Sequence, residues 1–123
     1  MGQPTEVANN KIAIWDEKDQ KFVFEEISHL EQVVNSGAGG ETDWLDLKKN
    51  KIAQFQVVEE SGTITDAVAT LQHSIDGVTP IDTAETVTNE GVSDQVEVAR
   101  FVRVKFTTNS SVASTATVSI SGR

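Results

Sequence analysis

The sequence predicts a small all-β protein, built as an antiparallel β-sandwich of the jelly-roll or immunoglobulin-like kind with an N-terminal arm. Short segments rich in β-branched and aromatic residues follow one another along the chain, and several alternate apolar with polar residues. Residues that favour turns separate these segments at the intervals typical of antiparallel sheets. A length of 123 residues leaves room for one domain and an appendage.

The predicted sandwich occupies residues 43–123. In its last expected strand, Ala116, Val118 and Ile120 alternate with polar residues, which is the pattern of a strand with one buried face. The strands expected in this domain cover residues 44–48, 52–58, 67–74, 84–88, 96–106 and about 114–121.

The strand expected over residues 96–106 shows the same alternation with one exception. Its valines and Phe106 share one face, and Arg103 and Lys105 lie on the other. Arg100 has the same parity as the valines. It therefore lies near the strand entrance, pairs with a carboxylate, or marks a bulge that shifts the register.

A β-hairpin is predicted at the start of the arm. Residues 11–15 and 21–25 are rich in β-branched and aromatic side chains, and a highly polar stretch separates them. After the hairpin, Ile27, Leu30 and Val34 have helical spacing, which predicts a short amphipathic helix.

Residues 1–35 are predicted to form an arm that needs a partner. A two-stranded hairpin is marginal on its own, and an isolated helix shorter than ~12 residues is marginal in water. The arm also has more large apolar residues than a solvated tail would carry. The residues predicted to form its interface are Ile12, Ile14, Trp15, Phe22, Phe24, Ile27, Leu30 and Val34.

A flexible hinge is predicted at residues 36–42. Gly37, Gly39 and Gly40 fall within four positions between two apolar-patterned regions. The stretch lacks the Lys-Ser/Thr pair of a phosphate-binding loop, so a linker is the better interpretation. We expect this hinge to let the arm swing away from its own domain.

The charge balance limits the expected partners. Ten Lys and Arg against nineteen Asp and Glu give a formal charge of -9. This charge opposes binding to a phosphate backbone or to an anionic lipid surface. The sequence also lacks the ~20 consecutive apolar residues of a membrane span and the pattern of a signal peptide. We therefore expect no nucleic acid, no membrane and synthesis in the cytoplasm.

His73, Ser74 and Asp76 form the grouping that most resembles a catalytic cluster. Consecutive side chains in a strand point to opposite faces, so His73 cannot act as a base for Ser74. Asp76 followed by Gly77 is typical of a tight turn in which the carboxylate bonds to the local backbone. No catalytic residue is predicted.

No metal and no cofactor are predicted. The chain has no cysteine, and His29 and His73 do not have the spacing of zinc ligands. No stretch has the register of a calcium-binding EF-hand loop. Trp15 and Trp44 are expected at a core or an interface, in preference to a sugar-binding platform.

Two stretches carry a resemblance to a known group of proteins. They are ATLQHSIDGVTP and ARFVRVKFTTNSSVASTATVSISG. The first strand ends in Ser-x-Asp-Gly, a later strand has an aromatic residue followed by Val-Arg-Val, and the last strand alternates before a glycine. This pattern, over about residues 44–122, resembles small β-sandwich domains in structural proteins of tailed bacteriophages, including head decoration proteins and fibre modules.

The resemblance implies a non-enzymatic virion protein. Its simplest form is a capsid decoration protein whose arm binds the major capsid protein or another virion protein, and also sister subunits in a homotrimer. The alternative is a carbohydrate-binding or host-recognition module of a tail fibre. Such modules often have a tryptophan where Thr79 and Pro80 stand here, which weakens the alternative.

Overall fold

The computed structural model describes residues 11–16, 21–62, 67–108 and 114–123. Within these ranges every regular element is a β-strand, which confirms the predicted all-β class. The strands are β1 (Lys11–Asp16), β2 (Lys21–Glu26), β3 (Ser28–Val34), β4 (Leu45–Asp46), β5 (Ile52–Ser61), β6 (Ala67–Ser74), β7 (Ile81–Thr88), β8 (Gly91–Val92), β9 (Val96–Glu97), β10 (Phe101–Thr108) and β11 (Thr115–Gly122).

Two antiparallel sheets form the predicted sandwich. Sheet 1 has four strands in the order β4-β10-β6-β7. Sheet 2 has five strands in the order β3-β11-β5-β8, and β9 pairs with β5 beside this path. The hairpin strands β1 and β2 form a separate two-stranded sheet.

The core lies between the two sheets because each central strand contributes one apolar row. The rows of β10 and β11 are fully buried, as their alternation predicts, and each valine, isoleucine or phenylalanine in them stabilises the fold by about 1.5–3 kcal/mol. Phe55 of β5 and Leu71 of β6 complete the centre of this core. The buried residues of β10 and β11 are Val102, Val104, Phe106, Ala116, Val118 and Ile120.

The strand expected over residues 96–106 is divided into β9 and β10. Between them the chain crosses from sheet 2 to sheet 1, and the backbone N–H of Leu47 donates to the carbonyl of Arg100 at 2.7 Å. Arg100 immediately precedes β10, and its guanidinium makes two bonds of 2.9 Å to the Asp46 carboxylate. Two of the three interpretations of Arg100 are therefore both correct: it lies at the strand entrance, and it pairs with a carboxylate.

The prediction of a short helix at the end of the arm is wrong. Ser28–Val34 is strand β3, which pairs with β11 at seven consecutive positions. Leu30 and Val34 are four residues apart, a spacing that fits one face of a helix and also one face of a strand. Pairing with β11 decides between the two, and it places Val34 in the core at 4% exposure. Residues 28–34 therefore belong to the sandwich.

The glycine-rich segment predicted as a hinge is a turn bonded to both sheets. The N–H of Gly40 donates to the carbonyl of Asn35 at 2.8 Å, and the N–H of Phe106 donates to the carbonyl of Gly40 at 2.9 Å. The N–H of Gly37 donates to the carbonyl of Ser114 at 3.3 Å.

Side-chain contacts hold the same turn. The Ser36 hydroxyl is wholly buried and lies 2.7 Å from the Ser114 hydroxyl. Gly39 has a φ of 70°, which favours glycine at this position. A swing at this turn would break these bonds and would also strain the pairing of β3, so the hinge motion stays a prediction.

Candidate functional site

The N-terminal hairpin is present where the sequence predicts it. Its strands pair at six positions, from Lys11 opposite Glu26 to Asp16 opposite Lys21. Residues of opposite charge are thus paired in the register at both ends of the hairpin. Only Ile27 separates β2 from β3, so the hairpin leaves the sandwich directly from an edge strand.

The predicted interface residues divide into two groups. Ile12, Ile14, Trp15, Phe22 and Phe24 lie on the hairpin strands, and their side chains are outside the described part of the structure. The other three are Ile27, Leu30 and Val34. Ile27 is half-buried at the root of the hairpin, whereas Leu30 packs against the core that contains Val34. Leu30 and Val34 therefore support the sandwich, because strand pairing turns them inward.

A cleft of about 170 Å³ opens beside the root of the hairpin. Apolar side chains of Ile27 and Ile52 line part of it, and Gln54, Gln95 and Arg123 contribute polar groups. The lining residues are Ile27, Ile52, Ala53, Gln54, Gln95, Ser121, Gly122 and Arg123. No local sequence pattern indicates this cleft, because its walls come from segments far apart in the chain.

His73, Ser74 and Asp76 do not form a catalytic triad. The Ser74 hydroxyl donates to Asp76 Oδ1 at 2.7 Å, and His73 Nδ1 accepts the backbone N–H of Ala99 at 3.1 Å. Each side chain thus has a structural partner, as the geometry of consecutive strand residues predicts. Among the described residues, no group of three His, Asp or Glu side chains could hold a metal ion.

Asp76 organises the turn between β6 and β7. Its Oδ1 accepts the backbone N–H groups of Val78 and Thr79, each at 2.8 Å. Gly77 has a φ of 73°, and its N–H donates to the Ser74 hydroxyl at 3.0 Å. These donors, the Thr79 N–H first and then the Ser74 hydroxyl, hold the pKa of Asp76 well below its usual range because they bind the charged carboxylate.

This turn and the first residue of β7 present apolar side chains to the solvent. Ile75 is 85% exposed, Val78 is 76% exposed and Ile81 is 55% exposed. We call residues 75–81 the apolar loop. Because Asp76 fixes its backbone, the loop offers a preformed contact surface in place of a mobile tip.

Trp44 is not an open platform. The Arg103 guanidinium lies 4.6 Å from the centre of its ring, and Arg103 Nε also donates to Gln72 Oε1 at 2.8 Å. Glu41 lies 3.4 Å from Arg103 and 3.3 Å from Lys105, so both cations have an acidic partner. The half-buried Trp44 therefore packs within the sheet surface.

Comparisons with known proteins bear on the fold. No protein-family model matches the chain, and no curated protein matches it. One similar solved structure is a chain of Bacillus endospore appendages, described as a novel family of disulfide-linked pili, with a TM-score of 0.50 and 15% identity. The similarity covers 98% of this chain and 95% of that chain, and at this identity it shows a shared fold alone.

The chain differs from this neighbour in its cysteine content. The neighbour is described as disulfide-linked, whereas this chain has no cysteine. The neighbour is a bacterial pilus chain, so the resemblance to phage proteins stays a prediction. In the part of the chain that the structure describes, no helix has the length and apolar character needed to cross a bilayer.

Proposed function

We propose that this chain is a non-enzymatic structural protein that docks onto other subunits of a larger particle through its N-terminal hairpin. The observation that carries the proposal is the separate two-stranded sheet of β1 and β2, joined to the sandwich through Ile27 alone. A ribbon of two six-residue strands is marginally stable in water. Contact with another subunit would supply the surface that such a ribbon needs.

The composition of the hairpin supports this role. Among its twelve paired residues, Trp15 is opposite Phe22 in the register, and Phe24 is a third aromatic residue. Aromatic residues are enriched in the buried centres of protein interfaces. Ile12 and Ile14 add β-branched surface of the kind that packs well on a sheet.

The remainder of the described structure supports a structural role in preference to catalysis. Polar side chains that might have formed a reactive cluster hold turns and strand ends together, as Asp76 does for the apolar loop. The fold is shared with a chain from pili, which are assembled structures. Because this chain has no cysteine, its own assembly would depend on noncovalent contacts.

In its specific form, the proposal is a capsid decoration protein in the virion, bound to the major capsid protein and to sister subunits in a trimer. The sequence resemblance to phage structural proteins supports this form. A carbohydrate-binding or host-recognition module of a tail fibre is the second candidate, and a glycan array would identify it. Saturable sugar binding that is lost on replacing Trp15 or Trp44 would favour that candidate.

Deletion of residues 1–26 tests the proposal. The cut falls before β3, because a longer deletion would remove an edge strand of sheet 2. We expect the truncated chain to fold cooperatively but to lose self-association and binding to purified phage heads. The matched point variant Trp15→Ser/Phe22→Ser should show the same loss with an unchanged melting temperature of the sandwich. Undiminished binding by both variants would show that the hairpin is not the attachment element.

A further inference from the structure

Three of the four lateral edges of the described sheets are poorly shaped to accept another strand. On sheet 1, the edge strand β7 is irregular, because its pairing with β6 shifts register between Thr70 and Gln72. The other edge of sheet 1 is β4, which has only two residues. On sheet 2, one edge is formed by β8 and β9, with two residues each. Bulges and short edge strands both hinder the addition of a further strand.

The fourth edge, β3, is long and regular. Its seven residues pair with β11 at consecutive positions without a shift, and within the described residues no strand pairs with its other side. Two contacts reach that side through side chains. The Asp43 N–H donates to Gln32 Oε1 at 2.9 Å, and Asn50 Nδ2 donates to Ser28 Oγ at 3.2 Å. We call the unpaired side of residues 28–34 the open edge, and its backbone can pair with an incoming strand.

The outer face of the open edge has a basic and an acidic side chain between two apolar ones. Residues alternate between faces along a strand, so Ile27, His29, Glu31 and Val33 share this face. His29 and Glu31 are exposed, Val33 is 57% exposed, and Ile27 is half-buried. The partners of His29 and Glu31 on β11 are serines, so the counterpart of each charge must come from the open side.

The order of these side chains is self-complementary. Residues 27–33 read I-S-H-L-E-Q-V, with apolar residues at both ends and Leu30 at the centre. In an antiparallel pair of two copies centred on Leu30, apolar residues face apolar ones and the imidazole faces the carboxylate. Such cross-strand pairs stabilise a sheet. The opposed pairs in this register are Ile27–Val33, Ser28–Gln32, His29–Glu31 and Leu30 with its own copy.

Shifted registers lose this match. Because side chains alternate between faces, pairing slips only in steps that keep the same residues on the outer face. A pair centred on His29 places two imidazoles opposite each other and sets Ile27 against Glu31. A pair centred on Glu31 places two carboxylates opposite each other, which is destabilising. The register centred on Leu30 is therefore favoured.

We infer that two copies of this chain pair through their open edges, antiparallel and centred on Leu30, so that the two copies of sheet 2 form one continuous sheet. This inference rests on the general form of the proposed function, docking onto other subunits, and makes the partner a second copy. The contact is isologous and closes as a pair. Where subunits also form trimers, the same contact joins neighbouring trimers.

The register also relates the pair to the hairpin. Ile27 is the root of the hairpin, and it lies opposite Val33 of the sister copy. Each hairpin therefore leaves its own sandwich beside the sister subunit. There it can add its own contact to the strand pairing.

Cysteine cross-linking tests the register in the full-length chain, which has no cysteine of its own. One chain carries Ile27→Cys and the other carries Val33→Cys. Directly opposed Cα atoms lie about 4.5–5.5 Å apart, within reach of a disulfide, so the mixture should form a cross-linked dimer under mild oxidation. Neither chain alone should do so, because the two copies of either position are then six residues apart along the sheet, ~20 Å.

Charge variants in the same two cysteine chains test the pairing of His29 with Glu31. His29→Glu in both chains places carboxylates opposite each other twice, and the cross-linking rate should fall about tenfold. The exchange His29→Glu/Glu31→His in both chains again sets an acid against a base, and it should cross-link like the parent. One exchanged chain mixed with one parent chain should be slow, because like residues then meet. The control Gln56→Glu adds a negative charge to the same face two strands inside the edge, and it should have no effect.

The reactions are run at about 0.15 M salt, where a Debye length of ~8 Å screens the repulsion between two chains of charge -9. Circular dichroism verifies that each variant is folded. If Ile27→Cys does not fold, His29→Cys with Glu31→Cys supplies a second opposed pair. Three results would overturn the inference: a mixture that cross-links no faster than its single chains, a single chain that cross-links with itself, or equal rates for the parent and His29→Glu.

The outcome is separable from that of the proposed function. Binding to other subunits that survives Trp15→Ser/Phe22→Ser, together with the cross-link between positions 27 and 33, would remove the hairpin role and retain the edge contact. Binding that is lost in Trp15→Ser/Phe22→Ser, together with no cross-link in the mixture, would retain the hairpin role and remove the edge contact.

Discussion

Two adjacent substitutions in β10 should differ sharply in their effect on stability. Val104 has no exposed surface and lies at the centre of the core, whereas the side chain of Lys105 is 42% exposed on the opposite face. The change Val104→Asp removes apolar burial worth about 1.5–3 kcal/mol and adds a buried carboxylate without a partner. Together these terms should cost more than about 4 kcal/mol, a large share of the ~5–15 kcal/mol that stabilises a domain.

Lys105→Asp should have a small effect. It removes an exposed ion pair to Glu41 at 3.3 Å, and such pairs contribute about 0–1 kcal/mol. It also places two carboxylates near each other in a solvated position, which adds a modest repulsion. For a domain of this size, about 1 kcal/mol shifts the melting temperature by ~4–8 °C.

Thermal and urea unfolding, followed by circular dichroism, would measure both variants. Val104→Thr keeps the shape of the side chain and buries one hydroxyl, so it should fall between them with a loss of about 1–3 kcal/mol. The destabilisation by Val104→Asp should shrink at low pH, because burial raises the pKa of the new carboxyl above its unfolded value. Equal and small losses for Val104→Asp and Lys105→Asp would refute the assignment of the buried face.

Three further outcomes are expected. The Arg100 guanidinium and the Lys48 N–H lower the pKa of Asp46 to about 2, and hydrogen bonds also lower the pKa of Asp76. The stability that these two carboxylates contribute should therefore be fully present above about pH 4, the ordinary carboxyl pKa, and should be lost as the pH falls through their folded pKa values. The double variant Asp46→Asn/Asp76→Asn should flatten this loss in acid titrations followed by fluorescence. Gly122→Ala should cost about 1–3 kcal/mol in urea unfolding because the added methyl collides with Leu47, and a normal midpoint would contradict that packing. The chain lacking residues 1–26 should keep the unfolding midpoint of the sandwich, and loss of cooperative unfolding would show that the hairpin is part of the domain.

Local sequence patterns determined the buried faces of the central strands. In β11, Ala116, Val118 and Ile120 alternate with polar residues, and all three are buried. The turn at Asp76 and Gly77 was likewise predictable, because its hydrogen bonds join residues within three positions of one another. These features depend on contacts that a short stretch of chain makes with itself or with any apolar core.

The state of residues 28–34 could not be decided from that stretch alone. The spacing of Leu30 and Val34 fits a helix and a strand equally well. β11 lies more than 80 residues further along the chain, and its free edge supplies the hydrogen bonds that make this segment a strand. Tertiary pairing therefore overrode the local pattern.

The predicted hinge shows the same limit. Glycines at 37, 39 and 40 indicated a reversal of the chain, and a turn is present. The groups that hold it, at Ser114 and Phe106, are far away in sequence. Composition gave the tendency to turn, but the bonds that fix the turn exist only once the two sheets are packed.

The distribution of charge over the molecule was also decided by the tertiary structure. The net charge of -9 follows from composition and requires no fold. The lysines at 48, 49 and 51 and the glutamates at 59 and 60 are close in sequence, yet β5 separates them by most of its length, ~25 Å. Glu90 joins the glutamates because the chain returns to pair with β5. Because a strand is extended, residues close in sequence at its two ends lie at opposite ends of the protein. Only the sheet order determines which residues from distant parts of the sequence lie beside them.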